Sequence, residues 1–130
     1  MIVLDASVVL EALLRTRVGL EIENRILSPH ETLYAPHLLD LEVAQVLRRY
    51  WTSGEMTPER GQQALEDLVD LPINRYPHDL FLSRIWELRD NMTAYDAAYV
   101  SLAEALTAPL LTRDGRLASA PGHTAIIELI

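Results

Sequence analysis

Short runs of apolar residues alternate along this chain with longer segments in which apolar residues recur every three or four positions. The runs are typical of buried parallel strands, and the longer segments are typical of helices with one apolar face. The predicted strands cover residues 2–4, 32–35, 73–76, 109–112 and 125–130, and the last is expected at a sheet edge. The predicted helices cover residues 8–14, 19–27, 37–52, 58–71, 78–89 and 94–106, with a short helical turn from Arg116.

The order of these elements predicts the fold class. Strands that alternate with helices favour a parallel sheet with right-handed crossovers and helices on both faces. We therefore expect an α/β fold, a three-layer α/β/α sandwich around a central parallel sheet. No linker, repeat or low-complexity segment interrupts residues 1–130, so we expect a single domain.

Composition narrows the class of protein. The chain is 49% hydrophobic and has no cysteine, which excludes disulfides and thiolate metal sites and is compatible with a reducing cytoplasm. No apolar run approaches the roughly 20 residues that span a bilayer. The first strand also begins where a signal peptide would carry its basic region. We therefore expect a soluble, cytoplasmic protein that does not associate with membranes.

The charge balance is acidic, with a formal net charge of −8. This argues against a broad basic surface for nucleic acid, although cations bound to an acidic cluster would invert the local field. All 11 basic residues are arginine. The absence of lysine argues against receiver domains and haloacid-dehalogenase-type phosphatases, which use a lysine near the phosphoryl group.

Two acidic residues follow predicted strands. Asp5 comes directly after Ile2-Val3-Leu4, and Asp114 comes soon after the strand at 109–112. Ligands of open α/β sheets bind beyond the carboxyl ends of the strands, so both residues are candidates for a site. Each also has an ordinary explanation, because Asp5 or Ser7 could cap the next helix and Asp-Gly is a common turn.

Glu42 lies in the predicted helix at 37–52, on the border between core and solvent, and Asp40 lies on the opposite border. The predicted apolar stripe of that helix comprises Leu39, Val43, Val46 and Tyr50. A carboxylate at the border can point into a cleft. The alternative for Glu42 is an ordinary solvated glutamate beside the core.

Asp96 belongs to a helix that is apolar nearly all round, and this helix is expected to be largely buried. An ionised carboxylate there is costly unless it is paired or bound to a metal. The alternative is a capping role, in which Thr93 and Asp96 satisfy the first free amides of the helix. The two roles can coexist.

Together these four acids are expected to converge at one edge of the sheet. Clustered carboxylates repel one another and raise each other's pKa unless cations are present. An all-oxygen set of ligands suits Mg²⁺ or Mn²⁺ better than zinc. The four histidines have no metal-ligand spacing, so we expect them to be structural or exposed.

The acidic motifs resemble those of PIN-domain ribonucleases, specifically the VapC toxins of type II toxin–antitoxin pairs. The motifs are Asp5-Ala6-Ser7, Glu42 in its helix, Thr93-Ala94-Tyr95-Asp96-Ala97-Ala98-Tyr99 and Thr112-Arg113-Asp114-Gly115-Arg116-Leu117. Each motif is weak alone, but their order and spacing are specific in combination. The resemblance covers nearly the whole chain.

The resemblance implies a PIN-like sandwich and a Mg²⁺-dependent endoribonuclease, in which Mn²⁺ can substitute. The implied catalytic and metal-binding residues are Asp5, Glu42, Asp96 and Asp114. Ser7 corresponds to the hydroxyl residue near the first acid, and Thr112 supports the fourth acid. A cognate VapB-type antitoxin, a homodimer and an RNA substrate such as tRNA or rRNA are also implied by the family.

A two-cation mechanism predicts products with a 5′-phosphate and a 3′-hydroxyl. Arg113 and Arg116 are the arginines best placed by sequence to bind phosphates. Weaker candidates are Arg15, Arg17, Arg48, Arg49 and Arg89, for which solvated surface positions are the commoner alternative. Trp51, Trp86 and the tyrosines are expected in the core rather than stacked on bases. The alternative function is a non-catalytic acidic module that binds a metal and a partner.

Overall fold

The computed structural model of the protein describes residues 1–130. The strands are β1 (Ile2–Leu4), β2 (Leu33–Pro36), β3 (Ile73–Tyr76), β4 (Leu110–Thr112) and β5 (Ile127–Leu129). The helices are α1 (Ala6–Leu13), α2 (Arg17–Ile26), α3 (Leu38–Thr52), α4 (Pro58–Asp70), α5 (Leu82–Glu87), α6 (Ala94–Leu106) and α7 (Gly115–Ser119), with a 3₁₀ turn at His78–Phe81.

All five strands form one parallel sheet in the order β3-β2-β1-β4-β5. Side chains of β1 alternate between its two faces, as the pleat of a strand requires. Ile2 and Leu4 pack with α1, α2, α3 and α4 on one face. Val3 packs with α6 and α7 on the other face. The expected three-layer sandwich is therefore confirmed.

β1 is the central strand of the sheet, and successive strands are added first on one side of it and then on the other. The chain moves outward from β1 through β2 to β3, and then crosses back to β4 on the other side of β1. Such a switch point leaves a crevice beyond the carboxyl ends of the two neighbouring strands. Asp5 follows β1 and Asp114 follows β4, so the topology brings both acids to this crevice.

Two predicted helices agree with the structure to different degrees. α6 covers the expected residues, and Ala97 through Ala103 are all buried against the sheet. The single helix expected at 78–89 is wrong. It is divided into the 3₁₀ turn and a short α5, because the backbone of Phe81 departs from helical values at φ −113° and ψ 7°.

The apolar stripe expected along α3 is partly wrong. Leu39 and Val43 are buried as predicted, but the third buried position is Leu47 rather than Val46 or Tyr50. The buried residues are four positions apart, so the buried face is rotated slightly from the predicted stripe. Glu42 remains at the border of this face, half-buried.

The expectation of core tryptophans is also wrong. Trp51 and Trp86 are both mostly exposed, and the guanidinium of Arg89 lies 4.8 Å from the centre of the Trp86 ring.

None of the helices is both long enough and apolar enough to cross a membrane. The cytoplasmic location and the single-domain organisation stay predictions.

Candidate active site

Asp5 is the most buried of the candidate acids, with 8% of the residue exposed. Its Oδ2 atom accepts hydrogen bonds from Ser7 Oγ at 2.6 Å and from Thr112 Oγ1 at 2.8 Å. Asp5 occupies the N-cap position of α1, but its side chain makes no capping hydrogen bond. The capping explanation for Asp5 is therefore wrong, and its Oδ1 atom has no protein donor.

The two hydroxyls that hold Asp5 also bind the loop after β4. Ser7 Oγ accepts a hydrogen bond from the Arg113 amide at 3.0 Å, and Thr112 Oγ1 accepts one from the Asp114 amide at 3.0 Å. Because each hydroxyl receives an amide proton, its own proton is free to point at Asp5. Ser7 and Thr112 thus fix the first acid and the fourth acid relative to each other.

Asp114 is both a helix cap and a residue of the crevice. Its Oδ1 atom accepts a hydrogen bond from the Arg116 amide at 2.9 Å, which caps the short α7. Asp114 therefore does have a local structural role at the Asp-Gly turn, in addition to its place in the crevice. Capping occupies one carboxylate oxygen and leaves the other without a protein donor.

Asp96 lies in the first turn of α6, half-buried. Thr93 Oγ1 accepts a hydrogen bond from the Asp96 amide at 3.1 Å, so Thr93 caps the helix. The reciprocal hydrogen bond of a capping box is not made. Burial raises the pKa of the Asp96 carboxyl, and the nearby negative charges of Asp5 and Asp114 raise this pKa further.

Glu42 approaches the crevice from α3. Its Oε1 atom accepts a hydrogen bond from the Tyr99 hydroxyl at 2.7 Å. Burial raises the pKa of Glu42, the Tyr99 hydrogen bond lowers it, and the charges of Asp5 and Asp96 raise it. Sequence patterns alone do not mark Tyr99 as a residue of the site. Its place three residues after Asp96, on the same face of a buried helix, was the available signal.

All four acids line one cleft of about 790 Å³ at this edge of the sheet. Two arginines, Arg49 and Arg116, are the only cationic residues in its lining. Its rim also carries two exposed apolar side chains, Leu41 at 73% and Tyr95 at 62% exposure. The lining is therefore acidic at the centre, with few cations and some apolar surface around it.

The structure separates the two arginines expected to bind phosphates. Arg116 lines the cleft, and its side chain is 96% exposed. Arg113 lies outside the lining, where its guanidinium donates to the Ile130 carbonyl at 2.9 Å and lies 3.5 Å from Glu11. Arg49, a weaker candidate, lines the cleft instead.

Comparison with known proteins identifies the family. The family model of the PIN domain matches residues 2–122. The chain belongs to the PIN domain family. Ribonuclease VapC1 of Mycobacterium tuberculosis is 46% identical to this PIN domain over 129 residues, which make up 98% of this chain and 96% of the relative. Ribonuclease VapC12 of the same organism is 40% identical over 130 residues, which make up 100% and 99% of the two chains.

Two solved structures share the fold of this PIN domain. PAE2754 from Pyrobaculum aerophilum has a TM-score of 0.71 at 21% identity, over 97% of this chain and 87% of the other. VapBC2 from Rickettsia felis, solved with a DNA fragment from its promoter, has a TM-score of 0.68 at 14% identity, over 99% and 98%. At these identities the likeness establishes the fold alone.

The acids of this PIN domain suit a hard divalent cation in their chemistry. PIN-domain ribonucleases in general depend on divalent metals. No three acidic or histidine side chains already stand together as a complete set of ligands. Mg²⁺ does not require such a set, because it keeps several waters and is usually held by one or two carboxylates. Unpaired oxygens of Asp5, Asp96 and Asp114 are available for this role, so the residues fit the ion.

Proposed function

We propose that this PIN domain is a Mg²⁺-dependent endoribonuclease and the toxin of a VapBC-type toxin–antitoxin pair. The observation that carries the proposal is the meeting of Asp5, Glu42, Asp96 and Asp114 in one cleft. The name of Ribonuclease VapC1, a relative 46% identical over nearly the whole chain, supports the choice of RNA as substrate.

In this proposal Asp5, Glu42, Asp96 and Asp114 hold the cations, with Mn²⁺ able to replace Mg²⁺. When bound, divalent cations activate a water as nucleophile and stabilise the leaving oxygen of a phosphodiester. Hydrolysis of this kind leaves a 5′-phosphate and a 3′-hydroxyl. It needs no ribose 2′-hydroxyl as nucleophile.

The remaining residues of the cleft orient the acids and the substrate. Ser7 and Thr112 hold one oxygen of Asp5, which leaves its other oxygen without a protein donor, where it would be available to a cation. Arg116 and Arg49 line the cleft and bind phosphates of the substrate, since a guanidinium can donate two parallel hydrogen bonds to a phosphate. The exposed ring of Tyr95 offers a surface on which an unpaired base can stack.

The test of this function is cleavage of total RNA by the purified chain with Mg²⁺, followed by mapping of the cut ends. Asp5→Asn is the informative variant. Asp90→Asn is its matched control, because Asp90 is exposed and lies outside the cleft lining. We expect 5′-phosphate ends from wild type and Asp90→Asn, none in EDTA, and a rate lowered at least about 100-fold in Asp5→Asn. Equal rates for wild type and Asp5→Asn would refute the proposed site.

The proposed partners are a cognate VapB-type antitoxin, a second copy of the chain and an RNA substrate such as tRNA or rRNA. Co-expression with a small protein encoded beside this gene is expected to yield a stable complex and to suppress cleavage. The alternative, a non-catalytic acidic module, would be supported if the purified chain bound Mn²⁺ and the antitoxin but cut no RNA.

A further inference from the structure

Tyr99 is the largest of the fully buried side chains and is 0% exposed. It lies in α6, one turn after Asp96, among residues of the core cluster that faces Val3 of β1. Its hydroxyl nevertheless meets an acid of the cleft, because it donates a hydrogen bond to Glu42 Oε1 at 2.7 Å. One buried ring therefore connects α6 to α3 at the site.

A fully buried hydroxyl costs free energy unless it has a hydrogen-bond partner, so the position of Tyr99 and that of Glu42 are tied together. The ring of Tyr99 cannot move without disturbing its core packing. Glu42 has three rotatable side-chain bonds and sits half-buried, with no other protein donor to either oxygen. Tyr99 is thus the one contact that restricts the orientation of this carboxylate.

We propose that Tyr99 is a positioning residue for Glu42: its hydroxyl holds Oε1 and leaves Oε2 directed into the cleft. The inference rests on the proposed function, in which Glu42 binds a divalent cation. Helix α6 then positions two acids of the cleft: it carries Asp96 directly, and it orients Glu42 through Tyr99. Groups that orient the ligands of a metal typically contribute about 10- to 100-fold to metal affinity or activity.

The competing explanation is that Tyr99 only fills space in the core. Tyr99→Phe separates the two, because it keeps the ring and removes only the hydroxyl. Tyr34→Phe is the matched control. Tyr34 lies half-buried against the same core cluster, and its ring centre lies 5.9 Å from that of Tyr76 in a tilted arrangement, but its hydroxyl makes no hydrogen bond in the protein.

The test is calorimetric titration of the full chain with Mn²⁺ alone, accompanied by thermal melting of each variant. We expect Tyr99→Phe to weaken Mn²⁺ binding about 10-fold or more, and Tyr34→Phe to leave it unchanged. In a Glu42→Gln background the Tyr99→Phe change is expected to add little. RNA cleavage by Tyr99→Phe should recover toward the wild-type rate as Mn²⁺ is raised, because the hydroxyl acts through the cation site.

Glu42→Asp examines the same hydrogen bond from its other end and serves if Tyr99→Phe does not fold. The shorter side chain keeps the charge but cannot reach Tyr99, so we expect the same loss of Mn²⁺ affinity. Wild-type affinity in Tyr99→Phe or in Glu42→Asp would overturn the inference. Equal losses from Tyr99→Phe with and without Glu42 would also overturn it. Wild-type protein that neither binds Mn²⁺ nor cuts RNA would instead refute the proposed function.

Discussion

Three of the four acids of the cleft are each held by a different kind of partner. Two hydroxyls hold Asp5, a buried phenol holds Glu42, and the Arg116 amide holds Asp114. Burial and the charges of Asp5 and Asp114 raise the pKa of Asp96, although a hydrogen bond from the Thr93 side chain and the charge of Arg116 act in the opposite direction. Asp96 is therefore the acid at which the electrostatic repulsion within a cation-free cluster should be easiest to measure.

Asp96→Asn is predicted to raise the melting temperature of the metal-free protein at pH 7. The pKa of Asp96 is raised above its ordinary value of 3.8, so ionisation of this group destabilises the fold. The gain from the variant should be largest at the highest pH of the series, where Asp96 of the folded wild type is most ionised. It should shrink as the pH falls through that pKa toward 3.8, where both states of wild type become protonated.

Melting in EDTA from pH 7 to pH 4 measures this difference. Asp40→Asn is the contrasting variant, because Asp40 forms a bidentate ion pair with Arg75 and its loss should lower the melting temperature. A lower melting temperature for Asp96→Asn than for wild type at pH 7 would contradict the prediction.

Sequence patterns pointed to the four acids because two follow strands, one interrupts an apolar helix, and Glu42 lies at the border of an apolar stripe. They did not locate Tyr99, since a buried tyrosine in an apolar helix is typical of any core. They also suggested Arg113 as a phosphate ligand, but its side chain lies outside the cleft lining. Residues adjacent to a site in sequence share its backbone, but the side chain of Arg113 turns toward Glu11 and the chain terminus.

At the scale of elements, the close approach of α1 and α2 depends on one glycine. A Cβ atom added to Gly19 would lie 1.9 Å from the backbone oxygen of Glu11. Real side chains never approach a carbonyl oxygen so closely, so any larger residue must push the two helices apart. This helix pair packs beneath the sheet face that carries Ile2 and Leu4.

Gly19→Ala is predicted to destabilise the protein by about 1–3 kcal/mol, even though alanine favours helix by up to ~1 kcal/mol. Gly61→Ala in α4 is the matched control. Its new Cβ atom would lie 3.7 Å from Met56 Sδ, an ordinary contact, so only the helix preference of alanine should act. Urea denaturation of both variants tests the pair. Equal stabilisation of the two would show that α1 and α2 are not in close contact.

A second link between elements is the ion pair of α5 with α6. The guanidinium of Arg84 forms two hydrogen bonds of 2.9 Å with Glu104, which also accepts bonds from the amide and hydroxyl of Thr124. These bonds lower the pKa of Glu104 to about 2. The side chain of Glu104 is only 13% exposed, whereas that of Arg84 is 34% exposed, so the acidic partner is the one shielded from solvent.

Glu104→Gln is predicted to lower the free energy of unfolding at pH 7 by about 2 kcal/mol, with screening at the partly exposed Arg84 allowed for. Because the pKa is lowered on folding, this stability is present above pH 4.5 and disappears as the pH falls toward 2. Glu87→Gln, which removes the exposed partner of Arg84, should cost less than about 1 kcal/mol. A pH-independent loss in Glu104→Gln would contradict the electrostatic explanation.

At the scale of the whole molecule, the order of the strands brings four acids that are far apart in the sequence into one cleft. Alternation of strands and helices was sufficient to predict the sandwich, because parallel strands need helical crossovers. The pattern did not specify the order β3-β2-β1-β4-β5, which depends on the long crossover from β3 to β4. It also did not predict the break in the helix at Phe81. It did not predict the exposure of Trp51 and Trp86, since an exposed apolar side chain and a buried one look alike in the sequence pattern.

The central claim is that these four acids share one divalent-cation site, and thermal melting with and without Mn²⁺ tests it most directly. At a Mn²⁺ concentration 100 times its Kd, we expect wild type to gain about 2.7 kcal/mol, which is a rise of roughly 10 °C in Tm. Asp90→Asn should gain as much, and Asp96→Asn should gain much less. An equal rise in Tm for Asp96→Asn and wild type, or no rise in wild type, would contradict the account.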